Sequence, residues 1–171
     1  MSFDWSQLVS PSVIGACSED IQRFEEKLGF DLPDDYRHFL KEFNGGRVFV
    51  EHEICEANSA LSLGVEYFLP LTAPRPSMGV IETRDVQVSH RLCLRQALEI
   101  ADDLGTGCYY LVLAGERRGA VYFIWKDERP MLSPPEWEAW EVRIPSEMLE
   151  ISPSFDALGQ TLLDHRCRPQ R

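Results

Sequence analysis

The chain has 171 residues, 44% of them hydrophobic and 26% charged, with a formal net charge of −11 at pH 7. This is the composition of a globular protein and not of a disordered one; no apolar run approaches the roughly 20 residues that a bilayer-spanning helix requires. With 28 acidic against 17 basic side chains, it also argues against nucleic acid and anionic membrane as partners, and for a cationic partner drawn in by the field.

Residues 1–17 read as an irregular or weakly helical lead-in, with Phe3, Trp5 and Leu8 as anchors. Ile14-Gly15-Ala16-Cys17 mimics a lipoprotein cleavage box. The stretch before it lacks the basic leader and the continuous apolar core of a signal peptide, so the chain is expected in the cytoplasm. Residues 18–46 read as two helices back to back. Ile21, Phe24 and Leu28 share one face of a 3.6-residue period, Ser18 is placed as the cap, and Gly29 as the left-handed stop. The second helix opens at Pro33, with Asp34 and Asp35 where the helix dipole favours anions. Tyr36, Phe39, Leu40 and Phe43 form its stripe, and Asn44-Gly45-Gly46 ends it with residues that tolerate positive φ.

Residues 47–151 are expected to be mainly strands and loops. Arg47–Glu56 alternates as a half-buried strand, with Val48, Val50, His52 and Ile54 on one face. One or two strands follow in Leu61–Leu71, and a proline-bearing loop in Thr72–Gly79. The periodicity of Val80–Gln96 fits a strand or a short helix equally. Ala97–Ala101 enters the sheet, and Asp102–Gly107 turns into the strongest strands, Cys108–Ala114 and Ala120–Lys126. These two are apolar on both faces, so they should be central, and their short link Gly115–Gly119 makes them a hairpin. Arg129–Glu136 is a loop, Trp137 and Trp140 open a segment that packs on a sheet edge, and Ser152-Pro153 caps a last helix over 152–166. Phe155, Leu158 and Leu162 form the stripe of that helix, with Arg166 and Arg168 at its carboxyl end. The expected fold is a single α+β domain over 1–171. Its twisted central sheet is mostly antiparallel, with the helix pair and the C-terminal helix packed around it.

No chemistry stands out. There is no phosphate loop with its lysine and no nucleophile elbow. Were Glu51, His52, Glu53 and Cys55 on one strand, His52 would point away from both glutamates, so no metal and no cofactor is expected. The five cysteines form no CxxC pair and suit free thiols in a reducing compartment. His38 reads as a solvated residue of the second helix. Asp34-Asp35 and Asp102-Asp103 read as helix-start and turn charges, not as acid–base pairs. Arg117-Arg118 is a basic pair at a hairpin tip, short of a nucleic-acid footprint.

Three segments together resemble the SUKH superfamily: IQRFEEKLGFDLPDDYRHFLKEFNGG, IADDLGTGCYYLVLAGERRGAVYFIWKDE and ISPSFDALGQTLLDHR, in the family's order. The resemblance implies a non-catalytic binding module, in bacteria an immunity protein that holds a toxin, often a nuclease, inactive. One departure is Cys108, which follows Gly107 where the family pattern places an acid. The expected partner is a cognate toxin with a basic surface. The acids proposed to meet it are Asp20, Glu26, Asp34, Asp35, Glu51, Glu53, Glu56, Asp102 and Asp103, with Arg23 on the same solvent side of the first helix as Asp20 and Glu26. A regulatory scaffold for an endogenous protein and a Cys–His hydrolase are the alternatives. Oligomeric state is left open.

Overall fold

Helix α1 (Ser18–Leu28) and helix α2 (Asp34–Glu42) form the expected pair. Their buried faces are Ile21 and Phe24 in the first, and Tyr36, Phe39 and Leu40 in the second. The computed structural model describes residues 2–11, 13–49, 53–55, 62–72, 79–81, 96–103, 107–125 and 148–164. Of the earlier expectations, Val50–His52, Glu56, most of the Thr72–Gly79 loop, nearly all of Val80–Gln96, the Trp137–Ile144 segment and the terminal arginines lie outside these residues.

Two caps differ from expectation by a residue or two. Ser18 is already helical, so Cys17 caps α1: its backbone is extended, and its Sγ accepts the Asp20 N–H at 3.4 Å. At the last helix, α3 (Phe155–Asp164), Ser154 is the cap, its Oγ accepting from Ala157 N–H at 3.1 Å. Ser152 belongs to the strand before it. Pro33, expected to open α2, is instead its N-cap: its φ of −55° suits the ring, its ψ of 142° is extended, and the helix begins at Asp34.

The strands are β1 (Val9–Ser10), β2 (Gly46–Val48), β3 (Glu53–Cys55), β4 (Ser62–Gly64), β5 (Tyr67–Phe68), β6 (Ala97–Asp102), β7 (Gly107–Val112), β8 (Val121–Trp125) and β9 (Leu149–Ser152). Seven make one antiparallel sheet in the order β1-β2-β5-β6-β7-β8-β9, while β3 and β4 pair apart from it. The stretch 47–56 is therefore not one strand. Its start joins the main sheet and its end joins a separate ribbon, although alternation alone reads straight through. The lead-in also supplies an edge strand, β1, that two residues are too short to announce. As expected, β7 and β8 are central and buried, and form a hairpin whose Gly115 and Gly119 take positive φ.

The three helices among the described residues pack against one face of the sheet. Trp5 stacks on Phe155 at 4.5 Å between ring centroids and meets Phe39 and Phe68 edge-on at 5.1 and 5.3 Å. The lead-in thus delivers the central ring of the core. Asn44-Gly45-Gly46 does more than end α2. Asn44, at φ 48°, donates to Ile14 O at 2.9 Å and accepts from Leu71 N–H at 2.8 Å, tying the lead-in to the segment after β5. A Cβ on Gly45 would meet the Pro70 nitrogen at 2.5 Å, so the backbones meet where only glycine fits.

Candidate interaction surface

The α1–α2 junction is built on one carboxylate that the sequence reading passed over. Glu25 accepts from Leu32 N–H at 2.7 Å and from the Arg37 guanidinium at 2.7 and 3.2 Å. Arg37 also donates to Leu32 O, and its pKa is raised, first by the hydrogen bond to Glu25. From the hairpin tip, Arg118 donates to Asp31 O and Leu32 O. Arg118 of the basic pair is therefore a structural clamp, while Arg117 pairs with Glu150 at 3.4 Å. A Glu and an Arg twelve residues apart show no helical spacing, so sequence alone had no reason to join them.

Against this frame of ion pairs lies an open cleft of about 420 Å³, lined by Gln22, Glu25, Glu26, Gly29, Phe30 and Asp31. Three of these six residues are acids, and Gly29, the C-cap of α1, lines the cleft with them, placing the negative end of the helix dipole there. Glu26 is exposed and accepts from Gln22 at 3.0 Å; Asp31 is exposed too. Asp34 is 94% exposed and pairs with Arg37 at 3.1 Å. Asp20 pairs loosely with Arg23 at 3.6 Å, both side chains more than half exposed, and accepts from the Cys17 thiol at 3.0 Å. That bond, made to the thiol form, raises the Cys17 pKa.

Asp35 differs from its neighbour. It is half-buried, and its Oδ2 accepts the Asp156 N–H at 3.1 Å across 121 residues. Its carboxylate closes the first turn of α3 and is engaged inside the fold. Asp103 is likewise engaged, accepting Gly107 N–H at 2.8 Å. Asp102 faces the side of the sheet away from the helices, beside Cys108. Among the described residues, the proposed acids lie on more than one surface. Asp20, Glu26 and Asp34 share the helix layer, and Asp102 lies across the sheet from them. The side chain of Glu53 in β3, and all of Glu51, Glu56 and His52, lie outside the described residues.

Across the sheet, a second polar feature appears. Glu99, Tyr110, Tyr122 and Glu150 stand in register on four neighbouring strands. Tyr110 donates to Glu99 at 3.0 Å and Tyr122 to Glu150 at 2.7 Å. Glu99 is only 6% exposed. A carboxylate inside the otherwise apolar run Ala97–Ala101 was the available signal, because buried acids are rare without a dedicated partner.

A helix pair, an antiparallel sheet and a closing helix, in that order along the chain, make an α+β domain of the SUKH kind. The family model of the SMI1 / KNR4 family (SUKH-1) matches residues 15–158, and the chain belongs to that family. No curated protein matches it. Among the described residues, no helix is long and apolar enough to cross a membrane.

Proposed function

We propose that this chain is a non-catalytic immunity protein that works in the cytoplasm and holds a cognate toxin of basic, nuclease-like surface inactive. The observation that carries the reading is the acid-lined cleft at the α1–α2 junction in a chain of SUKH family membership. Carboxylates at Glu26, Asp31 and Asp34 stand where a nuclease would otherwise meet phosphates. Phe30, half-buried beside them, offers a flat surface for the stem of a lysine or the plane of an arginine. The ion pairs of Glu25 and Arg37 hold the cleft rigid before binding, which lowers the ordering entropy of the complex.

The test is capture of the product of the neighbouring reading frame, co-expressed with this chain. Rescue from toxicity and a stable complex are the expected result. Glu26→Lys with Asp31→Lys should weaken capture roughly tenfold or more, as loss of close interfacial charge pairs does, with an unchanged melting temperature. Full affinity in that variant removes the cleft from the interface. Failure to rescue, with a housekeeping protein retained instead, replaces immunity by a scaffolding role.

A further inference from the structure

We propose that Glu99, Asp102 and Cys108 form a binding site for a thiophilic divalent cation of the zinc type. The argument begins with the pairing of β6 and β7. In a regular strand, residues three apart point to opposite faces, so Glu99 and Asp102 should not meet. Here Glu99 stands opposite Tyr110 and Ala101 opposite Tyr109, which leaves Ile100 as an extra residue. Ile100 and Ala101 both turn toward the helices, and the two carboxylates come to share the other face with Cys108. A β-bulge of this kind re-aims a side chain without interrupting the sheet.

The three donor atoms lie within 4.8 Å of one another. Cys108 Sγ and Asp102 Oδ2 are 3.7 Å apart. That is close to the spacing of about 3.5 Å that tetrahedral bonds of roughly 2.0–2.3 Å impose on two ligands of one ion. Cys108 and Glu99 are buried, whereas Asp102 is partly exposed. Tyr110 donates to Glu99 Oε2 and fixes its orientation, as outer partners of metal-binding carboxylates do. The sulfur selects against calcium and magnesium and for zinc-like ions. On binding, the Cys108 thiol gives its proton to solvent and its sulfur lone pair to the ion. Three protein ligands leave a fourth position for water. This inference is independent of the immunity reading.

The experiment uses the full chain, stripped with chelator and titrated with cobalt(II), then with zinc. One equivalent of cobalt should give thiolate-to-cobalt charge-transfer absorption that zinc abolishes, and excess zinc should raise the melting temperature. Cys108→Ala should lose the band, whereas Cys17→Ala should keep it. Asp102→Asn, at a partly exposed position that tolerates the change, should bind at least roughly tenfold more weakly, and Tyr110→Phe about 10- to 100-fold more weakly. A band that persists in Cys108→Ala, or unchanged affinity in Asp102→Asn, overturns the site. So does the absence of any response to cobalt or zinc, which would leave the cluster an internal hydrogen-bonded set.

Discussion

The two faces of the central sheet come from the same strands yet are held together differently. Toward the helices, Tyr109, Leu111, Val121 and Phe123 join Trp5, Phe39, Phe68 and Phe155 in one large core with an aromatic centre. Away from them, Cys108, Tyr110, Val112, Tyr122 and Ile124 form a smaller cluster interleaved with carboxylates. The first face is stabilised by shape and area and the second by matched pairs, since a phenol donating to each glutamate offsets the desolvation of both. The lesson is that a strand apolar in sequence on both sides need not be covered in the same way on both.

The largest test of this contrast lies on the helix side. Phe155 is fully buried, with Trp5, Tyr36, Phe39 and Phe68 all within 5.7 Å between ring centroids. Phe155→Ala should cost about 3–5 kcal/mol in denaturant unfolding, from lost transfer energy plus the cavity left behind. A loss below about 1 kcal/mol would show that the aromatic cluster is not the main source of stability.

On the other face, Tyr122→Phe keeps the ring and removes one charge-assisted bond to a partly exposed glutamate, and should cost about 1 kcal/mol. Its clearest signature is at high pH. Burial first, and then donation to Glu150, push the Tyr122 hydroxyl from 10.0 up to about 12. A group whose folded pKa exceeds its unfolded value stabilises fully below the unfolded value, so this contribution is complete below about pH 10 and vanishes between about pH 10 and 12. Burial also raises the hydroxyls of Tyr36 and Tyr109. Tyr36 and Tyr109 should therefore ionise only as the fold is lost, visible as phenolate absorbance rising together with unfolding. Tyr122→Phe should make the alkaline fall in stability shallower. Tyrosine absorbance that titrates fully near pH 10 with the fold intact would contradict this.

The smallest effect separates two neighbouring aspartates. Asp35→Ala removes the acceptor for the α3 terminus and should cost about 1 kcal/mol, as a lost cap does. Asp34→Ala, at a side chain 94% exposed, should stay within about 0.5 kcal/mol in the same thermal melt. Equal losses would mean that the long-range cap contributes nothing.

That pair shows where sequence reasoning stopped. Both aspartates fit the rule for acids at a helix start, and both obey it. Which of them is also engaged by a helix 121 residues away depends on how α2 and α3 cross. The central hairpin was legible because β7 and β8 are apolar throughout and joined by a short, glycine-bounded link. The division of 47–56 between two sheets was not, because alternation records which face a residue takes and says nothing of which sheet it joins. The cap at Cys17 was missed for a smaller reason: a thiol can accept a backbone N–H, but serine is the usual choice.

What the sequence determined alone is local: the helix stripes, the left-handed stop at Gly29, the positive-φ run Asn44-Gly45-Gly46, the central strands, and the net negative charge. These follow from periodicity, from backbone sterics and from counting charges, which act over a few residues or need no geometry at all. Only the tertiary structure decided that Glu25 locks to Arg37, that Arg118 clamps the helix junction, and that a single extra residue at Ile100 brings Glu99 and Asp102 beside Cys108. Each of these depends on strand register and helix crossing, set by the packing of the whole core rather than by any neighbouring residue.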